Sequence, residues 1–335
     1  VEAGLNSRRR TPGHRVELAF YGGTFTLLPE ALREDLLSWA AHYVRQGRVE
    51  AIRLSTRPDA LSEKVLLSLK AAGVETVELG VQSLNDQALE RSGRGHSARD
   101  SFKAVQLLRR FSLSVGIQLM AGLPGDTPEG FNQTIRMVRD LKPDLVRIYP
   151  TVVFPETVLA RWFENGYYTP LALEEAVSLC RGALDLLETA GIPVIRLGLQ
   201  SHDRMSPGKD ILAGPYHPAF GDLVRGELFL MKIKQDLVRR KFFREADLEL
   251  RVSGRDIGFL TGNSRGNFKK LKIDLGIPQL QLESDPAWPS GKWALRSSLS
   301  IHRGVAEGAE DGYFQENRGG ADFPESRLGW TRLSS

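Results

Sequence analysis

The chain has 335 residues, 41% of them hydrophobic, a net charge of +4 and a pI near 9.2. That length suits roughly two domains with a sizeable core, and the mildly basic balance permits an RNA partner without requiring one. One cysteine excludes an internal disulfide framework, the most apolar stretch (Leu113 to Leu123) is interrupted by Ser114, Gly116 and Gln118, and no apolar leader opens the chain, so a cytoplasmic protein without membrane association is expected.

Residues 1–14, with RRRTP at Arg8 to Pro12, read as an exposed lead-in. A first strand is expected near Arg15 to Tyr21, where Val16, Leu18 and Phe20 alternate with Glu17, Ala19 and Tyr21. A helix follows near Pro29 to Arg45, then a strand near Ala51 to Thr56 with Ile52 and Leu54 against Arg53 and Ser55. A helix near Ser62 to Ala72 is stopped by Gly73, and the third strand, near Thr76 to Gln82, alternates Val77, Leu79 and Val81 with Glu78, Gly80 and Gln82. The helix near Ser97 to Arg110 leads to a strand near Ser114 to Gly122. Asp126 or Thr127 caps the next helix, Pro128 to Leu141, and a fifth strand lies near Leu145 to Pro150. Helical patches near Thr157 to Asn165 and Leu173 to Ala190 precede the sixth strand, Pro193 to Gln200, in which Ile195, Leu197 and Leu199 alternate with Arg196, Gly198 and Gln200.

Helices between strands imply a parallel sheet, and parallel strands covered on both faces normally read as unbroken apolar runs. These six carry charge, amide or glycine on one face. A closed eight-stranded barrel fills its interior with Val, Ile and Leu, so a curved, incompletely closed barrel around a large polar ligand suits the pattern better. The alternative is that the inward polar residues pair with one another. Beyond Ser201 the period weakens. A Lys- and Arg-rich helix over Leu223 to Phe243, a strand at Asp247 to Val252 and a helical stretch at Ile257 to Leu275 suggest a small α+β domain, residues 221–302. Residues 303–335, rich in Gly, Glu and Arg, read as a disordered tail.

Several constellations sit at strand ends. In FYGGTFT (Phe20 to Thr26), Gly22 and Gly23 let backbone approach a bound group and Thr24 adds a hydroxyl; a tight turn would also use glycine. In IRLSTRP (Ile52 to Pro58), Ser55 and Arg57 share the inner face. Arg57 suits a carboxylate or phosphate, or an ion pair with Glu78. Glu78, Gln82 and Ser83 are followed by SGRGH (Ser92 to His96), in which His96 reads as a loop histidine or a binding residue. GLPGDT (Gly122 to Thr127) reads as a rigid loop, and Arg147, Tyr149, Arg196 and Gln200 extend the polar face. Cys180 shares a helix face with Leu173, Val177, Leu184 and Leu187 and reads as core. Scattered histidines, strand ends without an inward lysine, and the absence of GxGxxG and GxxxxGK[ST] argue against a zinc hydrolase, a Schiff base and a nucleotide-fold motif.

Together FYGGTFT, IRLSTRPD, VELGVQS, SGRGH, IQLMAGLPGDT, LVRIYPTVV and VIRLGLQS resemble, in order, the radical S-adenosylmethionine (SAM) core of proteins related to the Elongator catalytic subunit, specifically bacterial members without the acetyltransferase domain. The resemblance covers about Arg15 to Phe220, through KDILAGPYHPAF (Lys209 to Phe220), and Leu223 to Leu282 is similar to the small C-terminal domain of the same relatives. It implies an α/β fold: a partial (β/α)6 radical SAM barrel lacking its first strand, plus the small α+β C-terminal domain. It also implies S-adenosylmethionine and a [4Fe–4S] cluster as cofactors, reductive cleavage of SAM, hydrogen abstraction from a substrate, and transfer RNA wobble uridine as that substrate. Carried over by motif, Gly22 and Gly23 with Thr24 meet the SAM amino group, and Ser55, Arg57, Glu78 and Gln82 meet the ribose and carboxylate. The family holds its cluster with CxxxCxxC after its first strand, and this chain has neither. With Val at position 1 and the SAM-facing motifs intact, the expectation is a truncated member, inactive for lack of CxxxCxxC. The alternatives are a cluster-free RNA- or nucleotide-binding module, using the basic helix, Lys269, Lys270 and Lys272 and the GNSRG loop (Gly262 to Gly266), or an inactive fragment.

Overall fold

The computed structural model describes residues 15–200, 210–239, 247–261, 266–277, 279–297 and 331–333. The lead-in, the GNSRG loop before Gly266 and most of the C-terminal tail lie outside them. The chain divides into two compact units, Val1–Phe220 and Gly221–Ser335.

In the first unit β1 (Glu17–Phe20), β2 (Ala51–Thr56), β3 (Val74–Gln82), β4 (Ser114–Ala121), β5 (Leu145–Pro150) and β6 (Val194–Leu197) form one parallel sheet in sequential order. The crossovers carry α1 (Glu30–Arg45), α2 (Glu63–Ala71), α3 (Asp86–Arg91), α4 (Ala98–Arg110), α5 (Pro128–Leu141), α6 (Val158–Glu164) and α7 (Leu173–Thr189). Local chemistry sets their bounds. Ser62 accepts the Val65 N–H ahead of α2, and Gly73 in the left-handed region stops that helix. Ser97 and Asp100 form a capping box on α4, and Thr127 caps α5 with Pro128 in its first turn.

The apolar face of the sheet, with Val77, Leu79, Val81, Ile117, Leu119 and Ile148 fully buried, packs under helices that bring Leu66, Leu69, Leu108, Phe131, Leu184 and Leu187. Cys180 is fully buried on this helical layer. The other face is concave: Tyr21, just past β1, accepts a hydrogen bond from Arg147 of β5 at 2.6 Å. Four strand spacings on a flat sheet would separate those strands by about 19 Å, so the sheet curls into an open half-barrel.

β6 is shorter than its sequence pattern suggests. Gly198, at φ +78°, turns the chain away and lies against the Phe220 ring, where a Cβ would come within 2.8 Å of that side chain. Ile195, read as part of the buried face, is 46% exposed because β6 is an edge strand. Ala213 and Val153 pair antiparallel, which returns the segment ahead of Phe220 to the chain just beyond β5.

The second unit is α+β. β7 (Asp247–Ser253) pairs in parallel with β8 (Gln279–Asp285) and antiparallel with β9 (Trp293–Ser297), and β10 (Thr331–Leu333) extends the sheet beyond β9. With α8 (Phe220–Arg239), α9 (Ile257–Thr261) and α10 (Gly266–Leu275) it forms a core around Leu237, Leu248, Leu250, Leu260 and Trp293. Three residues of the segment read as a tail therefore belong to a sheet. Among the described residues no helix is long and apolar enough to cross a membrane.

Candidate functional site

The concave face is organised around Glu78, which is fully buried. Its Oε1 accepts from the Tyr21 hydroxyl at 2.8 Å, from Arg53 Nη1 at 3.2 Å and from Arg147 Nη2 at 3.1 Å. Its Oε2 accepts from Gln118 Nε2 at 3.0 Å, and Arg147 Nε lies 2.8 Å away as an ion-pair contact rather than a hydrogen bond. Arg53 turns its other nitrogen to Glu17. Two carboxylates thus face two guanidiniums, the arrangement that makes charge tolerable in a desolvated interior. Arg147 also stacks over the Tyr21 ring, 4.9 Å from its centroid. Burial, then the bond to Glu78, pushes the Tyr21 phenol up to about 12, so it remains a donor. Glu78, expected to meet a ribose or carboxylate, is instead saturated by the protein's own donors, and its cationic partners are Arg53 and Arg147 rather than Arg57.

Arg57 binds Asp59 through Nε at 2.9 Å and Nη2 at 2.6 Å, and donates to the Gly95 carbonyl at 3.0 Å. It therefore ties the end of β2 to the loop between α3 and α4. Ser55 is buried on the Arg53 face, and the hydroxyls of Thr26 and Thr56 bond one another, linking the turn after β1 to the end of β2.

Strand registers align Phe20 with Leu54 and Leu54 with Val77, so Tyr21 stands at the level of Glu78 and the two glycines just above it. Gly22 has φ +108°, which excludes most side chains, and a Cβ at Gly22 or Gly23 would meet no atom within 4 Å. Their backbone is thus open at the C-terminal end of the sheet, where open α/β folds place ligands. Thr24 is half-buried and makes no side-chain cap to the short turn that follows it. Gln82 has φ +65° and lies over Gly80, its Nε2 2.9 Å from where a Cβ on that glycine would stand.

Of the seven buried side-chain polar atoms without a hydrogen-bond partner among the described residues of this unit, three belong to Arg33, Arg53 and Arg147 and four lie at this end: Arg94 Nε and His96 Nδ1 beyond β3, Asp126 Oδ2 beyond β4 and Thr151 Oγ1 beyond β5. A folded chain leaves few such groups unsatisfied, and a cluster at a strand-end mouth is the mark of a ligand site. Arg94 sits between Gly93 and Gly95, both in the left-handed region, with Nη2 against the Met120 sulfur at 2.8 Å. Burial pushes its pKa down, and among the described residues no carboxylate pairs with it. Burial likewise lifts the Asp126 carboxyl above its ordinary range. Arg94 and Thr151 were not singled out from sequence. The signal available for Arg94 was an arginine held between two glycines directly after a strand–helix unit.

The mouth has the chemistry to hold the amino-acid portion of S-adenosylmethionine. An open glycine backbone can accept from an ammonium group, and a partly buried guanidinium suits a carboxylate. An iron–sulfur cluster does not fit these residues. It requires several thiolates, whereas the 335 residues include one cysteine, fully buried in α7 with its thiol pushed up to about 12 by burial. Among the described residues no group of three or more His, Cys, Asp or Glu side chains could hold a metal ion.

Residues 8–138 match the Radical SAM superfamily and residues 143–229 the Radical_SAM C-terminal domain. The chain is 36% identical over 145 residues to a tRNA uridine(34) acetyltransferase of Methanocaldococcus jannaschii, covering 42% of this chain and 27% of that protein. It is 38% identical over 128 residues to one from Dehalococcoides mccartyi, 37% of this chain and 28% of that one, and 28% identical over 173 residues to the heme chaperone HemW of Bacillus subtilis, 51% of this chain and 46% of that one. The matched region thus spans between about a quarter and a half of these relatives. The archaeal Methanocaldococcus infernus Elp3 with an N-terminal deletion shares the fold, with a TM-score of 0.55 at 23% identity over 84% of this chain and 64% of that one. Two adjoining family matches running from residue 8 to residue 229, on a six-stranded parallel half-barrel, show that this chain belongs to the radical SAM superfamily.

Proposed function

We propose that the mouth formed by Gly22, Gly23, Gln82, Arg94, His96 and Thr151 binds S-adenosylmethionine, and that the chain is the barrel portion of an Elongator-type radical SAM enzyme acting on RNA, with a transfer RNA uridine as substrate. The observation that carries the first part is the partly buried Arg94 guanidinium, its Nε buried without a partner and no carboxylate paired with it among the described residues, beside other buried polar atoms that lack partners. The second part draws on relatives named tRNA uridine(34) acetyltransferase; the partial coverage does not carry their acetyl transfer to this chain. Bound S-adenosylmethionine supplies a sulfonium whose carbon–sulfur bond can be cleaved reductively. What this chain's residues do is bind and orient. Arg94 neutralises the carboxylate, the glycine backbone leaves room for the ammonium, and the Glu78 cluster closes the lumen beneath them.

The cluster that the reductive chemistry requires has no thiolates among these 335 residues. The single buried cysteine favours a second reading, in which the residues bind the adenosyl ligand, and RNA, without redox chemistry. Calorimetric titration of the iron-free chain with S-adenosylmethionine tests the shared first step. Measurable binding is expected, weakened by Arg94→Ala by about 2–4 kcal/mol, or roughly 30- to 1000-fold. No binding at millimolar ligand, or an Arg94→Ala affinity within twofold of the parent, would reject the assignment. Titration with transfer RNA at several salt concentrations tests the second step. A log–log slope near zero would remove the RNA partner.

A further inference from the structure

Gln82 is held in a backbone conformation that a glutamine rarely adopts. Its φ is +65°, and the Ser83 N–H donates to the Val81 carbonyl across it at 2.8 Å. A bond from i+2 to i across a residue of positive φ is the left-handed γ-turn, a rare and strained form. Strain of this kind persists only where neighbouring structure enforces it, and it concentrates at ligand sites. The ladder between β3 and β4 also slips between Leu79 and Gln82.

Gln82 pairs with Leu119 of β4 and the two residues after it bond Thr134, and a further hold on the turn comes from the SGRGH loop. His96 Nε2 lies 3.1 Å from the same Val81 carbonyl, so in the neutral ring the proton sits on Nε2 and that nitrogen donates. The loop carrying His96 is itself fixed. Arg94 N–H donates to the Leu89 carbonyl at 3.0 Å, Arg57 holds the Gly95 carbonyl, and Ser97 opens the capping box of α4. The imidazole is therefore a strut between a rigid loop and the last residues of β3. Its two ends bear on two different groups of the mouth, Arg94 two residues before it and Gln82 beside its acceptor.

We infer that His96 is a positioning residue: its Nε2–H, donated to Val81, locks the left-handed turn at Gln82 and so keeps the Gln82 amide over Gly80, facing the ligand mouth. The consequence for ligand affinity rests on the reading of that mouth as the S-adenosylmethionine site. The turn itself does not, and the test separates the two.

Two variants are compared with the parent: His96→Leu, which fills similar space without a donor, and His96→Gln, whose Nε2 reaches a similar point and can donate. In the ligand-free chain, the backbone ¹³C shifts of Gln82 report its φ. They should move toward extended values in His96→Leu and stay at the parent values in His96→Gln. Affinity for S-adenosylmethionine should fall roughly tenfold in His96→Leu, the equivalent of one hydrogen bond, and recover to within about threefold in His96→Gln. Parent-like Gln82 shifts in His96→Leu overturn the inference, whatever happens to affinity; with an affinity loss they mean that His96 touches the ligand directly. Displaced shifts in His96→Leu, restored in His96→Gln, uphold the turn assignment even if the parent binds no S-adenosylmethionine, an outcome that removes only the proposed ligand. If His96→Leu does not fold, the pair is repeated on Gln82→Gly, which relieves the strain at φ +65°. Glycine there should make folding tolerant of His96→Leu, and continued failure to fold rejects the turn as the point of action.

Discussion

Replacing Glu78 by glutamine is the sharpest perturbation of the lumen. The substitution keeps the volume and removes the charge that Arg53 and Arg147 share. Arg53 retains Glu17, but Arg147, only 17% exposed at its side chain, loses its carboxylate and keeps the Tyr21 hydroxyl. The incoming amide also turns its NH2 group toward one donor set, either Tyr21, Arg53 and Arg147 Nη2 or Gln118 and Arg147 Nε, while its oxygen keeps the other. Removing one member of a buried pair in this way costs about 3–5 kcal/mol. At about 2–4 °C per kcal/mol for a unit of this size, the melting point should fall by about 6–20 °C. Urea unfolding followed by circular dichroism gives the free energy directly. A second substitution, Arg147→Met, made in the Glu78→Gln background, should recover at least about 1 kcal/mol, because it removes the stranded cation. A Glu78→Gln loss below about 1 kcal/mol, or additive effects of the two substitutions, would refute the view that a neutral cluster of mutually paired charges fills the interior.

Gly116→Ala should destabilise by about 1–3 kcal/mol in the same assay, because a Cβ there would stand 2.6 Å from Glu78 Cγ and 2.7 Å from a Leu145 methyl. Gly23→Val, by contrast, projects into open space, so the unfolding free energy should change by less than about 0.5 kcal/mol while calorimetric S-adenosylmethionine binding is lost; retained affinity would remove the glycine turn from the site. Cys180 holds its proton up to about 12 when folded, against an ordinary 9.0. The unfolded chain therefore ionises first, and stability should fall above pH 9.0 by about 1.4 kcal/mol per pH unit for this group. Cys180→Ala should flatten that decline between pH 9 and pH 10, before the tyrosines contribute at their ordinary 10.0; an unchanged slope would show that the thiol is not the group responsible. Thr127→Ala removes the cap accepting from Gly130 N–H at 3.1 Å and should cost about 1 kcal/mol, read from the urea midpoint.

The six strands were legible because alternation survives in the sequence wherever one face of a strand is wet and the other greasy. Which inner residues meet was not. Glu78 sits in register with Ser55, so a cation two positions toward the N-terminus (Arg53) and one across the lumen (Arg147) reach it, while Arg57 lies past the strand end where Asp59 is nearer. Stagger of this kind has no sequence signature. The short helix α3 leaves no periodic signal because six residues are too few for a helical period, and β8 and β9 are masked by the polar, edge-like texture of Gln279–Asp285 and by the Pro and Gly residues between them. Arg94 has little sequence signature either, because its meaning lies in a partly buried charge left without a carboxylate partner among the described residues, which only three-dimensional packing reveals.

The Glu78 cluster also makes the half-barrel a cul-de-sac. Interlocked side chains fill the concave face at mid-height, so among the described residues the ends of the strands are the doorway to it. Whatever binds deepest must enter first and can leave only after its companion has gone. For a site that takes a cofactor and a bulkier substrate, such a doorway imposes an order of addition: small molecule before macromolecule, macromolecule out before the small molecule is exchanged. A small molecule seated there would be held for as long as the larger partner stays in place, so its exchange would be gated by that partner's departure.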